Sequence, residues 1–228
     1  MTTPPVASPP RPSRHRTAVR CAGVLAVCSV LLLVLVGAEW RPLMSLDGDV
    51  ARTTHRWAVD ERGVTGTFRV LTDWVWDPWT MRALCAAVAV WLGWRHGAWR
   101  TAVWLALTCA LGSVVQQVLK AVVDRPRPVW PDPVDTAHYA AFPSGHAMTA
   151  TVVCGLLLWL LRRHGVARLL WRTALLLAAV SVLGVGVTRV WLGVHWTSDV
   201  LGGWLLGALT VTLAVAVHRR WASPGITP

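Results

Sequence analysis

The chain of 228 residues is 54% apolar and only 14% charged, with 16 Trp and a mean hydropathy of +0.49. A soluble domain carries about 25% charged residues, so the deficit and the long uncharged runs exclude a disordered protein, a collagen-like fibre and most soluble enzymes. The net charge of +11 would suggest nucleic acid in a soluble chain, but 21 of the 22 basic residues are Arg, and here Arg reads as topology marking, with no nucleic-acid partner.

Residues 1–17 are rich in Pro, Ser and Arg and read as a basic disordered tail on the cytoplasmic side. The apolar run Ala18–Ala38 resembles the core of a signal peptide, yet it is long enough to span and is taken as an uncleaved anchor. From Glu39 to Thr80 the chain is too charged to cross lipid, and an outer loop with one or two short surface helices is expected. Trp74, Trp76 and Trp79 near its end fit either an interfacial aromatic belt or packing within the loop.

Apolar runs then follow at Met81–Trp94, Trp99–Val123, Ala147–Leu161, Leu169–Val187 and Thr197–Val217. The first of these is short and flanked by Arg82 and Arg95, and it sets the parity of every later span. With six spans and the N-terminus inside, 12 of the 22 basic residues lie inside and 10 outside, whereas deleting the short span inverts the tally to 8 inside and 14 outside. The expected fold is therefore an all-α integral-membrane bundle of six transmembrane helices over residues 18–217, with a long outer loop between spans 1 and 2. Residues 218–228 form a short cytoplasmic tail.

Gly203 and Gly207 form a GxxxG in the last span, read as packing within the bundle. Cys21, Cys28, Cys85, Cys109 and Cys154 all fall in apolar runs without metal-binding spacing and read as inert core thiols.

Three polar clusters sit where spans end, all at the outer face in this topology. Lys120-Ala-Val-Val-Asp-Arg-Pro-Arg127-Pro128 closes the third span, Pro143-Ser144-Gly145-His146 opens the fourth, and Thr188-Arg189 through His195 to Asp199 joins the fifth and sixth. Lys120, Arg125, Arg127 and Arg189 gather cations on the side where cations are disfavoured, a pattern suited to phosphate. Ser144 and Gly145 offer backbone N–H groups at a helix start, a natural anion site. His195 and Asp199, four residues apart, share a helical face, so the carboxylate can orient the imidazole.

In this order and spacing the clusters resemble the tripartite signature of the type 2 phosphatidic acid phosphatase family, shared with vanadium haloperoxidases and bacterial acid phosphatases. The family usually has Ser where Thr188 stands. The resemblance implies a membrane-integral lipid phosphate phosphatase working without metal or other cofactor. His195 would attack phosphorus as a neutral imidazole to give a phosphohistidine, Asp199 would hold its tautomer, and His146 would protonate the leaving oxygen and then help water.

Lys120, Arg127, Ser144, Gly145 and Arg189 would bind the phosphate oxygens, with Thr188 as a secondary contact. Arg125 is read as either a secondary phosphate contact or a partner for Asp124. The cations around His195 and Asp199 argue against a divalent ion there. The mechanism predicts a bell-shaped dependence of rate on pH.

The implied substrates are lipid phosphates or pyrophosphates of the undecaprenyl pyrophosphate, phosphatidylglycerophosphate or phosphatidic acid class. Membrane lipids are the other expected partners. A multi-pass protein of the plasma membrane is expected, with both termini cytoplasmic and the site facing outward. A phosphotransferase using the same phosphohistidine, or a non-catalytic lipid-phosphate binding or transport protein, are the alternatives.

Overall fold

The computed structural model describes residues 14–222, with side chains described over 17–219. Most of the expected N-terminal tail, with Arg11, Arg14 and Arg16, and nearly all of the C-terminal one therefore lie outside the described side chains. Among the described residues there are α-helices, one π-helical turn and no strands. The helices are α1 (Arg14–Gly37), α2 (Arg41–Asp60), α3 (Arg62–Val70), α4 (Pro78–His96), α5 (Trp99–Val123), α6 (Gly145–Arg163), α7 (Arg168–Trp191) and α8 (Thr197–Ala222).

Five segments are long and apolar enough to cross a membrane: Thr17–Gly37, Trp99–Val123, Gly145–Arg163, Arg168–Trp191 and Thr197–Arg219. The chain is thus a multi-pass membrane protein. They coincide with five of the six expected apolar runs. Helix α4 covers the sixth, the short one, and its 19 residues include Arg82, Arg95 and His96. Its start is locally encoded: Pro78 opens the first turn and the Asp77 carboxylate accepts from Trp79 N at 2.7 Å and Thr80 N at 3.0 Å.

The segment expected to be a loop with short surface helices is helical over most of its length. Helix α2 runs for 20 residues, α3 for 9, and the π-helical turn Leu71–Val75 leads towards α4. Its amphipathic pattern explains this, since Asp47, Ala51, His55 and Ala58 fall on one face and are buried. That face lies against α7 and α8, so the segment is part of the packed structure. The three Trp residues divide: Trp74 and Trp79 are exposed, whereas Trp76 is buried and sits where a side chain at Gly184 of α7 would be.

Helix α6 is the centre of the bundle, packed against α8, α7, α5 and α4, while α1 lies along α8. Close approach of α6 and α8 depends on the glycines of the last span. A Cβ on Gly203 would stand 2.7 Å from Ser144 O, and one on Gly207 would stand 2.8 Å from Thr151 Cβ. The GxxxG therefore packs within the chain. Cys21 and Cys28 are exposed on α1 and are not core thiols, because α1 turns only a narrow stripe to the bundle, whereas Cys85 is buried and faces Cys109 at 3.5 Å.

Replacing Gly207 with Val should force α6 and α8 apart and lower the unfolding temperature in detergent. The expected cost is about 1–3 kcal/mol for overpacking. Gly23→Ala, where no atom lies within 4 Å, should leave the melting temperature unchanged.

Candidate active site

Alternation of the helices brings the C-terminal ends of α5 and α7 and the N-terminal ends of α6 and α8 to one end of the bundle, and all three signature clusters meet there. The meeting point is the short connection between α7 and α8. Gly193 turns it with φ +67°, and Trp130 donates from Nε1 to Gly193 O at 2.9 Å. His195 follows and is 2% exposed.

The imidazole is held on both sides. Its Nδ1–H donates to Asp199 Oδ2 at 3.3 Å, while Arg127 Nη1 donates to Nε2 at 3.2 Å. These two contacts assign the Nδ1–H tautomer, with the Nε2 lone pair directed towards Arg127. Burial holds the imidazole well below its usual titration range, and Arg127, Arg189 and Lys120 add to the effect.

Asp199 is fully buried and is itself fixed by three donors. Its Oδ2 also accepts from Trp196 N at 2.9 Å, and its Oδ1 accepts from Arg125 Nη1 at 2.6 Å. Arg125 is thus placed behind the imidazole, bound to Asp199 and, at 2.8 Å, to Asp47 of α2. The structure pairs the Arg125 guanidinium with these two buried carboxylates, and neither is Asp124.

On the open side of His195, Lys120 ends the buried face of α5 and donates to Ala140 O. Arg127 donates to Tyr139 O at 2.8 Å, Val194 O at 2.6 Å and His138 O at 3.2 Å. Arg189 of α7 pairs with Asp135 at 3.7 Å, and its Nε is buried without a partner among the described residues. Burial, with the neighbouring Asp135, raises the pKa of nearby Asp73 above the usual carboxylate range, against the pull of Arg189. His146, in the first turn of α6, is half-buried in the combined field of Arg189, His195, Arg127 and Lys120.

Ser144 is the N-cap of α6, a position where the hydroxyl normally binds the first helical N–H groups. Here it makes no such bond: Ser144 Oγ is buried without a partner among the described residues, although its backbone N–H donates to Asp199 O at 2.9 Å. The buried Ser144 hydroxyl and the buried Arg189 Nε–H lack protein acceptors among the described residues, and with the cations Lys120 and Arg127 this donor set suits an anion. Thr188 does not contribute to it in this arrangement, since its hydroxyl donates to Val185 O at 2.9 Å and faces Thr72 at 3.3 Å.

Sequence reasoning passed over several residues here. Asp47 and Ser198 complete the Arg125 cluster: Ser198 N donates to Asp47 Oδ1 at 2.9 Å and Ser198 Oγ donates to Asp47 Oδ2. Gln116, one turn before Lys120, is buried against Gly145, where an added Cβ would meet its Nε2 at 2.7 Å. His55 stacks on Trp130 at 4.0 Å and donates to Asp132 at 3.1 Å. The available signal was an acid and a histidine on the apolar stripe of α2, and a glutamine one turn from the lysine.

The fold and site define a helical membrane protein with a buried, oriented imidazole among several cations. The model of the PAP2 superfamily matches residues 101–223, and the chain belongs to that superfamily. It is 36% identical over 108 residues to phosphatidylglycerophosphatase B of Bacillus subtilis, covering 47% of this chain and 53% of that protein. It is 29% identical over 123 residues to undecaprenyl-diphosphatase of Sulfolobus acidocaldarius, covering 50% and 53%.

The chain spans about half the length of these curated relatives. The fold matches the crystal structure of a transmembrane PAP2-type phosphatidylglycerolphosphate phosphatase from Bacillus subtilis with a TM-score of 0.75. That match covers 85% of this chain and 96% of the other, at 23% identity.

The depressed pKa of His195 has a signed consequence. Below about pH 6.5 the unfolded chain takes up a proton at this residue that the folded chain refuses, so stability falls as pH drops, by up to about 1.4 kcal/mol per pH unit. Thermal unfolding in detergent from pH 7 to 5 should show stability falling, and His195→Gln should lessen the fall.

Proposed function

We propose that the protein is a membrane-integral lipid phosphate phosphatase that hydrolyses a phosphomonoester or pyrophosphate through a phosphohistidine at His195. The observation that carries the reading is a buried imidazole whose Nδ1–H is held by Asp199 and whose Nε2 faces Arg127, in the field of Lys120 and Arg189. Phosphoryl transfer is mostly positioning and charge stabilisation, and such a pocket supplies both.

In the first step His195 Nε2 attacks phosphorus and the bond to the leaving oxygen breaks, with His146 giving that oxygen a proton. Lys120, Arg127 and Arg189, with the Ser144 hydroxyl and the Gly145 N–H, hold the three equatorial oxygens. In the second step His146 takes a proton from water, the water oxygen attacks phosphorus, and the N–P bond breaks to release phosphate and restore neutral His195. Lys120 and Arg127 exchange the carbonyls of the 138–140 segment for phosphate oxygens on binding.

The names of the two curated relatives favour phosphatidylglycerophosphate and undecaprenyl diphosphate as substrate classes. Helix α4 acts as a sixth span in this reading: 19 residues reach about 28 Å, close to the hydrocarbon thickness. Its Arg82 is accommodated by donating to Thr149 Oγ1 at 3.2 Å. Six spans place both termini in the cytoplasm and the site at the outer face of the cell membrane, by the distribution of Arg.

The test is phosphate release from these lipids by the detergent-purified chain in excess EDTA. Release is expected to persist with EDTA and to fall at least about 1,000-fold in His195→Ala, as for loss of a covalent nucleophile. Transfer of the phosphoryl group to an added alcohol in place of water would identify a phosphotransferase. Absence of release from any lipid tested, with folded protein, would contradict the reading.

A further inference from the structure

We propose that Asp47 is a positioning residue for the nucleophile, holding His195 through Arg125 and Asp199. The inference rests on the phosphatase reading for its kinetic consequences, but the geometry stands independently of the substrate. Asp47 lies on α2, outside the residues 101–223 that carry the family match.

Asp47 and Asp199 grip the same guanidinium on different nitrogens, at 2.8 Å on Nη2 and 2.6 Å on Nη1. Asp47 also takes the backbone N–H and the hydroxyl of Ser198, the residue before Asp199. One carboxylate therefore fixes both the cation that orients Asp199 and the backbone that carries it. All four groups are buried, with Asp47 at 1% and Arg125 at 8% exposure.

The charges explain why a second carboxylate is needed. Arg125 alone would neutralise Asp199, leaving no net negative charge behind an imidazole that becomes cationic when it bonds to phosphorus. With Asp47 the cluster carries one net negative charge, available to that developing cation. A recess of about 220 Å³ lined by Met44, Asp47, Arg125 and Trp196 gives the guanidinium room to swing away once Asp47 no longer holds it. Loss of Asp47 thus disturbs a group stabilised in the transition state and leaves the phosphate pocket intact.

The test is Asp47→Asn in the full-length chain, alone and combined with Asp199→Asn, assayed on phosphatidylglycerophosphate in detergent micelles. Asp47→Asn should lower kcat at least about 10-fold with KM changed less than about 3-fold. In the Asp199→Asn background the same change should cost less than about 3-fold, because the path through Asp199 is already broken. An equal loss in both backgrounds, or an unchanged kcat, would overturn the proposal.

Arg125→Lys, which keeps the charge but cannot bridge two carboxylates, should reproduce the kcat loss and serves if Asp47→Asn does not fold. If the wild-type chain hydrolyses no lipid phosphate, the phosphatase reading fails, and the nitrogen spectrum of labelled histidine still decides on Asp47. His195 should be an Nδ1–H tautomer in the wild type and a mixture in the variants. A tautomer unchanged in both variants would count against the proposal.

Discussion

Asp199 is the junction on which the site depends. Its backbone carbonyl accepts from the N–H of Ser144, fixing the turn that opens α6 against the start of α8. Its carboxylate accepts from His195 and Trp196 on one oxygen and from Arg125 on the other. One residue thereby holds together the His195 imidazole, the turn that opens α6 and the segment that follows α5. A buried carboxylate is costly unless its lone pairs are filled, and the surrounding donors meet that requirement while fixing the imidazole.

The cations obey the opposite logic. Arg125 is fully engaged by carboxylates, whereas Lys120 and Arg127 are satisfied by loop carbonyls and Arg189 by one distant carboxylate with a spare N–H. Neutral carbonyls are weak competitors for a phosphate dianion, which forms charge-assisted bonds of roughly twice the strength. The empty-handed Ser144 hydroxyl follows the same pattern.

Much of this was legible in the sequence because the relevant information is local. The spacing from Lys120 to Arg127, the turn at Ser144–Gly145 and the interval from His195 to Asp199 each express one helix end, and the apolar runs marked five of the spanning helices within a few residues. The partner of Arg125 seen in the structure, Asp47, is 78 residues away, so no pattern local to Arg125 points to it. Thr188 was given a secondary phosphate contact because the resembled family usually has Ser there, whereas in this structure its hydroxyl is turned to Val185 O and Thr72. The segment after Glu39 was read from its charge as an outer loop with one or two short surface helices, and the extent of its packing follows from α7 and α8, which cover one face of α2.

The central claim is that His195 carries the phosphoryl group, and it can be examined directly at the bond. The purified chain would be mixed with phosphatidylglycerophosphate, quenched within milliseconds under alkaline conditions, digested and analysed by mass spectrometry. The account predicts an acid-labile phosphate on the peptide containing His195, absent in His195→Ala and accumulating when His146 is replaced. Hydrolysis at full rate with no phosphate on that peptide, or with phosphate on another residue, would contradict it.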